Sequence, residues 1–535
     1  MLWEGGHTAD LARSTRAAQR RCERRGLPHN SMKRNRAAAP GAAPEPHKPA
    51  SRPPSPCCCG LRPTVVLCVL VASSFSFLLG YDIGIMSGAK RLVLRDLGLA
   101  TEQVEVLVGS LNLVSGFGGL AAGRLADGVG RRRTGALACV LTLLGSLGMA
   151  VSGSFAALLV GRVVCGLGVG GCFQVAPLYV AEVAPKRVRG ALISSFDLFI
   201  NIGILAGYVV GWALGLGGEP SAWRLMLGLG AAPPALILCG LWWMPESPRW
   251  LVAAGAPERA AAVLHTIYEP TEAAETFAEL QQEDSGGGRR APPLSTAQQL
   301  RRVLLPAAGA PRALMVAGLG AAFWQQATGV EAAVYYTPET LERAGITDES
   351  SLLLATVGVG AVKVAFIVLA AFLVERCGRV RLLLASQASI AASHLLIAAS
   401  FFGGGITWLA LLGQCAFMGA FSLGAGPCSM MVASELFPLQ VRGFALGVAT
   451  LVNRATSGTI ALTFLSLSAA ITPAGAYCLF AALALVACAF TARCVPETKG
   501  KSLEEIEREA AERHVASVAL VGRAGVEMSG AAEGV

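Results

Sequence analysis

The chain has 535 residues, 53% of them hydrophobic and 15% charged, and its mean hydropathy of +0.55 exceeds what a soluble domain needs for its core. That balance excludes a soluble enzyme as the economical reading and favours a chain embedded in lipid. The formal charge of +9 would suit nucleic acid, but the basic residues gather in the amino-terminal tail and in short loops, as the positive-inside rule expects of cytosolic segments, so no nucleic-acid partner is expected.

Residues 1–61 are rich in Arg, Ala, Pro and Ser without an amphipathic period, and read as a disordered, basic cytosolic tail. No apolar run precedes Val65, which argues against a cleaved secretory signal. An organellar transit peptide would share the bias, although Glu4, Asp10, Glu23 and Glu45 count against it. The Cys57-Cys58-Cys59 run is open to S-acylation or is a plain run of tail thiols.

Apolar runs long enough to cross about 30 Å of hydrocarbon as helices follow. Six fall at 63–83, 104–122, 134–151, 155–180, 191–215 and 223–244, giving a first half over 62–244. The polar stretch 245–311 reads as a cytosolic linker with short helices at 256–265 and 271–282 and a Gly286-Gly287-Gly288 break. Six further runs, at 312–336, 352–374, 382–402, 407–434, 443–467 and 473–495, make a second half over 312–495. Residues 496–535 form a cytosolic tail, both termini lying on one side of twelve spans.

The two halves repeat one another. YVAEVAPKRVRG matches VASELFPLQVRG at an offset of 253, DGVGRRR matches ERCGRVR at 248, and PESPRWL matches PETKGKSL at 251. A parallel repeat of this kind places a substrate site near mid-membrane between the halves. These signatures supply charges at matched membrane edges: Asp127, Arg131, Glu182, Arg189, Glu246 and Arg249, then Glu375, Arg379, Glu435, Arg442 and Glu497. Isolated charge near hydrocarbon is costly, so pairing is expected. Such pairs can lock an outward-facing state and break as the halves rock apart; the alternative is static anchoring of topology.

Inside the spans, GLGVGG from Gly166 has no strand before it and reads as close helix packing rather than a dinucleotide loop. Most of the 15 cysteines sit in apolar runs and read as packing residues. With no Walker loop, nucleophile motif or metal-ligand cluster, no cofactor and no metal are expected, and energy comes from a gradient or from none. His394, in the ninth span, reads as packed or lipid-facing. Asp82, inside the first span, is functional by default because burying an ionisable group is costly. Arg162 of the fourth span is its expected partner. Glu331 and Lys363 are further intramembrane charges, which either pair with one another or leave Lys363 reaching water in a central cavity.

The motifs GRLADGVGRRR, PLYVAEVAPKRVRG, PESPRWL, QQATGVEAAVYY, SELFPLQVRG and PETKGKSLEE, standing in this order, resemble those of the sugar porter family of the major facilitator superfamily. FINIGILAGY, VGVGAVKVAFIVLAAFL and NRATSG bring the chain nearest to the plant-type polyol/monosaccharide proton symporters. The resemblance implies an all-α membrane protein of major facilitator fold, with twelve transmembrane helices in two six-helix halves. It further implies a proton site at Asp82 and Arg162 and a substrate pocket containing Asp197, Gln325, Gln326, Glu331 and Asn453, to which Lys363 is added as an intramembrane charge. Asp197 and Glu331 stand where hexose carriers usually have amides, and carboxylates suit a ligand rich in O–H donors. Met430 replaces a tryptophan that usually stacks on the sugar. Tyr335, Tyr336, Phe323 and Trp324 are candidate gating aromatics, or simple helix packing. The expected partners are therefore a polyol or sugar, a proton and the bilayer. A monomer in the plasma membrane is expected, with a plastid or vacuolar membrane as the alternative. A facilitative hexose uniporter is the rival reading, and a non-transporting sugar sensor a further one.

Overall fold

The computed structural model describes residues 62–185, 188–285, 295–306, 309–402, 405–438, 441–501, 505–506 and 508–509. The expectations for the amino-terminal tail, the Cys57-Cys58-Cys59 run, the Gly286-Gly287-Gly288 break and the residues from 510 onward lie outside them, as do the side chains of Arg189 and Glu375. The first half contains α1 (Pro63–Leu97), α2 (Thr101–Val129), α3 (Arg131–Ala150), α4 (Phe155–Val183), α5 (Arg189–Gly215) and α6 (Ala222–Leu241). Four short helices follow in the linker: α7 (Pro248–Ala253), α8 (Pro257–Ile267), α9 (Pro270–Ser285) and α10 (Thr296–Leu304). Proline at the first turn of α7 and α8 costs nothing there, because its missing N–H is an orphan donor anyway.

The seventh span is broken into α11 (Ala310–Ala327), α12 (Val330–Tyr335) and α13 (Thr337–Arg343). The rest are α14 (Glu349–Cys377), α15 (Arg379–Ala399), α16 (Thr407–Leu436), α17 (Arg442–Ile471) and α18 (Pro473–Cys494). Asp348 caps α14 by accepting from the Ser351 N–H at 2.7 Å; the Ser351 hydroxyl and then this N–H hold its carboxyl below the usual carboxylate range.

Ten described helices are long and apolar enough to cross a membrane. The two spans outside that set are the broken seventh and α17, which carries Asn453, Arg454 and several hydroxyl side chains. Polar residues and a helix break lower hydropathy where a pocket has to be built. At 35 residues α1 would measure about 52 Å, longer than the hydrocarbon, so its last turns project past one membrane edge.

Glycine sets how closely the helices approach. A Cβ on Gly80 would lie 2.0 Å from the Ile200 carbonyl oxygen, and one on Gly203 2.4 Å from that of Phe77, so α1 and α5 meet backbone to backbone. Gly170, in the run first read as packing, would bring a Cβ to 2.0 Å from the Ser115 carbonyl oxygen. In α16 the turn at Phe421–Ala425 widens to a π-helix just before Pro427, which has no N–H to give. Ser386 fills the gap, donating to the Ala420 carbonyl at 2.7 Å and accepting from the Ala425 N–H at 2.9 Å.

Candidate transport site

Asp82 on α1 and Arg162 on α4 form a buried pair, both carboxylate oxygens lying 2.8 Å from Nη1. Arg162 is fully buried. It also donates from Nε to the Leu107 carbonyl on α2 at 3.0 Å, while its Nη2 is buried without a partner. A buried guanidinium needs a counter-charge, and Asp82 supplies one. One turn along α2 from Leu107, the Asn112 side chain donates to the Tyr335 hydroxyl at 3.2 Å. The charged pair is thus connected through α2 to α12 of the other half. A small crevice lined by Tyr81, Asp82, Thr142, Ser146 and Cys165 lies beside the pair, inside the first half rather than between the halves.

Asn453 on α17 organises the second cluster. Its Nδ2 donates to Gln325 Oε1 at 2.6 Å and to the Ala322 carbonyl at 2.9 Å. Its Oδ1 accepts from Gln326 at 3.2 Å and from the Arg454 guanidinium at 2.7 and 3.0 Å. Gln325 also donates to the Ala425 and Gly426 carbonyls beside the π-turn, at 3.3 and 2.6 Å. Gln326 Oε1 remains buried and unpartnered, an acceptor aimed at nothing among the described residues. Three of the expected pocket residues, Gln325, Gln326 and Asn453, are therefore in direct contact.

Glu331 lies one step away and accepts from Ser457 on α17 at 2.6 Å. The pairing of Glu331 with Lys363 does not form: among the described residues Lys363 has no ion pair, and its Nζ sits 5.6 Å from the Phe421 ring centroid. Glu331 and Asp197 act on its charge through space, so the physical reason is geometric, Ser457 being within reach of the carboxylate and Lys363 not. Asp197 is half-buried, and its carboxylate has no hydrogen bond among the described residues. Met430 packs against the cluster of Met315, Ala322 and Phe437. Tyr335 and Tyr336 are fully buried and bonded. Phe323 instead is 40% exposed and stacks edge-on to Trp324, which leans on Phe490. His394 is fully buried, which selects the packed reading over the lipid-facing one.

At the edge carrying the basic loops some of the expected charges pair, while Glu246, Glu497 and Arg442 engage backbone groups instead. Arg131 binds Asp127 at 3.1 Å and Glu182 at 2.9 Å, and Arg379 lies 3.5 Å from Glu435. Glu246 caps the start of α3, accepting from the Arg131 and Arg132 N–H groups at 2.9 and 3.2 Å. Glu497 does the same for α15 through Arg379 and Val380, at 3.0 and 3.1 Å. Carboxylates suit helix N-termini, where unpaired N–H groups concentrate positive potential. Arg442 donates to the Phe437 carbonyl at 3.1 Å; Arg249 is also engaged. Each of these described pairs joins elements of one half.

Among the described residues the ion pairs between the halves gather at the opposite edge. Lys90, 2% exposed, pairs with Glu339 at 2.7 Å, donates to the Tyr335 carbonyl and lies 4.1 Å from the Tyr336 ring centroid. Arg91 reaches Glu339 and Glu342, Arg95 reaches Glu349 at 3.3 Å, and Glu105 accepts from the Ser466 N–H at 3.0 Å. Lys90, Glu105, Arg454 and Ser457 were missed from sequence. The rule that singled out Lys363, an ionisable residue inside an apolar run, would have found Arg454.

Among the described residues no group of three or more His, Cys, Asp or Glu side chains is placed to hold a metal ion. The chain matches the protein family described as "Sugar (and other) transporter" over residues 68–510. It is 41% identical over 454 residues to probable polyol transporter 4 of Arabidopsis thaliana, covering 83% of this chain and 85% of that one. Polyol transporter 5 of the same plant is 39% identical over 460 residues, with 82% and 85% covered. The solved structure of the major facilitator proton:xylose symporter XylE bound to 6-bromo-6-deoxy-D-glucose superposes with a TM-score of 0.70 at 26% identity, covering 84% of this chain and 99% of that one.

Proposed function

This chain belongs to the sugar transporter family of the major facilitator superfamily, and from that premise we propose that it is a proton-coupled symporter of polyols and monosaccharides working by alternating access. The observation that carries the coupling is the Asp82–Arg162 pair, buried in the first half and connected through Asn112 to Tyr335 of the second. A relative titled a proton:xylose symporter supports the same reading.

In the proposed cycle a proton from outside neutralises Asp82, which releases its hold on the guanidinium. Arg162 stays anchored to the Leu107 carbonyl, so its freed end moves relative to α2, and Asn112 carries that change to Tyr335 and the segment bearing Glu331. Substrate hydroxyls are taken by acceptors and donors already in place: the unpartnered Gln326 Oε1, the Glu331 and Asp197 carboxylates and the Lys363 ammonium. After the halves rock, the proton leaves towards the cytosol as Arg162 re-pairs with Asp82. In this cycle the Asp82–Arg162 pair and the cross-half contacts of Lys90 with Glu339 belong to the inward-facing stage, after the proton has left.

The polyol preference rests on the polyol transporters of Arabidopsis thaliana among the relatives and on two carboxylates, which accept from cyclic and linear polyhydroxylated solutes alike. Competition against labelled sorbitol uptake by mannitol, inositol, xylose and glucose tests it. Uptake of labelled glucose with none of labelled sorbitol would assign the chain to hexose transport.

A further inference from the structure

Neither the proton pair nor the substrate cluster uses His394 of α15, which is fully buried. Its Nε2 lies 2.8 Å from the Thr328 carbonyl oxygen. That carbonyl belongs to the break between α11 and α12, where the helical ladder stops and Gly329 turns the chain with φ of 88°. A carbonyl released from a helix inside the membrane has no water to turn to, so its partner is structurally decisive. Because the acceptor is a carbonyl, Nε2 carries the proton, and Nδ1 is left buried and without a partner. Aromatic rings enclose the imidazole: Phe417, Tyr477 and Phe480, with centroids 4.7, 5.7 and 5.7 Å away.

The same wall supports the rest of the seventh span. Phe480 closes on Gly329, where an added Cβ would lie 2.8 Å from its ring. The Tyr477 hydroxyl lies 2.6 Å from the Thr340 hydroxyl on α13. On the far face of the break stand Gln325 and Gln326, held to Asn453, and Glu331, held to Ser457. The three pocket side chains that this span turns towards α17, Gln325, Gln326 and Glu331, are therefore all within three residues of the carbonyl that His394 holds.

We infer that His394 is a positioning residue, the donor that fixes the hinge of the seventh span and so sets the spacing of Gln325, Gln326 and Glu331 around a polyhydroxylated substrate. The inference rests on the transport reading above and adds to it a residue outside the pocket. Without the donor, the Thr328 carbonyl is buried and unpaired, and the hinge relaxes to find another partner, moving the two glutamines away from Asn453.

The test uses the full chain, purified and reconstituted, with labelled sorbitol and glucose, comparing His394→Gln, whose amide reaches the Nε2 position, with His394→Phe, which keeps the ring and loses the donor. The expected result is a KM raised about tenfold or more in His394→Phe and within about twofold of the unaltered protein in His394→Gln, with ligand-free thermal midpoints of the two variants alike. Should His394→Phe fail to accumulate, His394→Asn, whose amide is too short for the Thr328 carbonyl, replaces it with the same expectation. An unchanged KM in the donor-less variant, or equal losses in both, overturns the inference while leaving the transport reading intact. No uptake by the unaltered protein would overturn the transport reading and the inference with it.

Discussion

At Asn453 a single amide serves Gln325, Gln326, Arg454 and the Ala322 carbonyl, so its removal unpairs several buried groups at once. Asn453→Ala is expected to raise KM by roughly tenfold or more, at about 1–3 kcal/mol for each orphaned buried group that finds no new partner, measured as uptake normalised to transporter at the membrane. Glu331 gives a sharper contrast. Since its bond is to Ser457 and not to Lys363, Glu331→Gln should raise KM while Lys363→Met leaves the amount of folded protein unchanged; collapse of folding in Lys363→Met alone would restore the ion pair. Asp82, Gln325, Gln326, Glu331 and Asn453 were all legible in sequence because each is a polar residue in an apolar run or in a recognisable motif. Arg454 was equally legible and was overlooked. Lys90 was not, because the apolar run ends well before α1 does, and only the length of the helix carries Lys90 to Glu339.

Among the elements, hydropathy traces most spans and gives their order, but it treats the seventh as one uninterrupted helix over 312–336. The break at Thr328–Gly329 has a local trace in Gly329, whose φ of 88° favours glycine. What holds it open is His394, some 66 residues away, and no window along the chain contains both. Helix packing, by contrast, was readable in part: the glycines of the fourth span read as close contacts, and they meet the Ser115 and Ala138 carbonyls. Gly203→Val is expected to lower the thermal midpoint and surface abundance, because its side chain would enter the Phe77 and Tyr81 backbone; overpacking of this kind costs about 1–3 kcal/mol or more. Normal abundance of that variant would mean that α1 and α5 can separate at little cost.

For the whole molecule, the internal repeat made the two halves readable in advance and matched Glu246 with Glu497, but as members of ion pairs; that both cap helices, α3 and α15, was not readable. The conformational state was not readable, since it depends on which edge the halves share. The described ion pairs at the basic edge stay within each half, whereas Lys90, Arg91 and Arg95 cross to Glu339, Glu342 and Glu349 at the other. Glu339→Gln leaves Lys90 buried without its counter-charge, a loss on the order of 3 kcal/mol, which would shift the equilibrium by more than tenfold towards the state open at that edge. Spin labels at the exposed Thr101 and Thr347 should then show a longer distance component that the unaltered protein lacks; identical distributions would mean that these contacts do not hold the edge closed.

The central claim is that proton movement at Asp82 drives solute accumulation, and the most direct measurement is labelled sorbitol and glucose uptake at pH 5 and about pH 7.5, with and without a protonophore, by the unaltered chain and by Asp82→Asn in yeast lacking its own sugar carriers. The account predicts uptake stimulated by external acid, abolished above equilibrium by the protonophore, and indifferent to both in Asp82→Asn, which has no carboxylate to take up and release a proton beside Arg162. Uptake by the unaltered chain that ignores both pH and the protonophore would contradict it and make the protein a facilitative carrier.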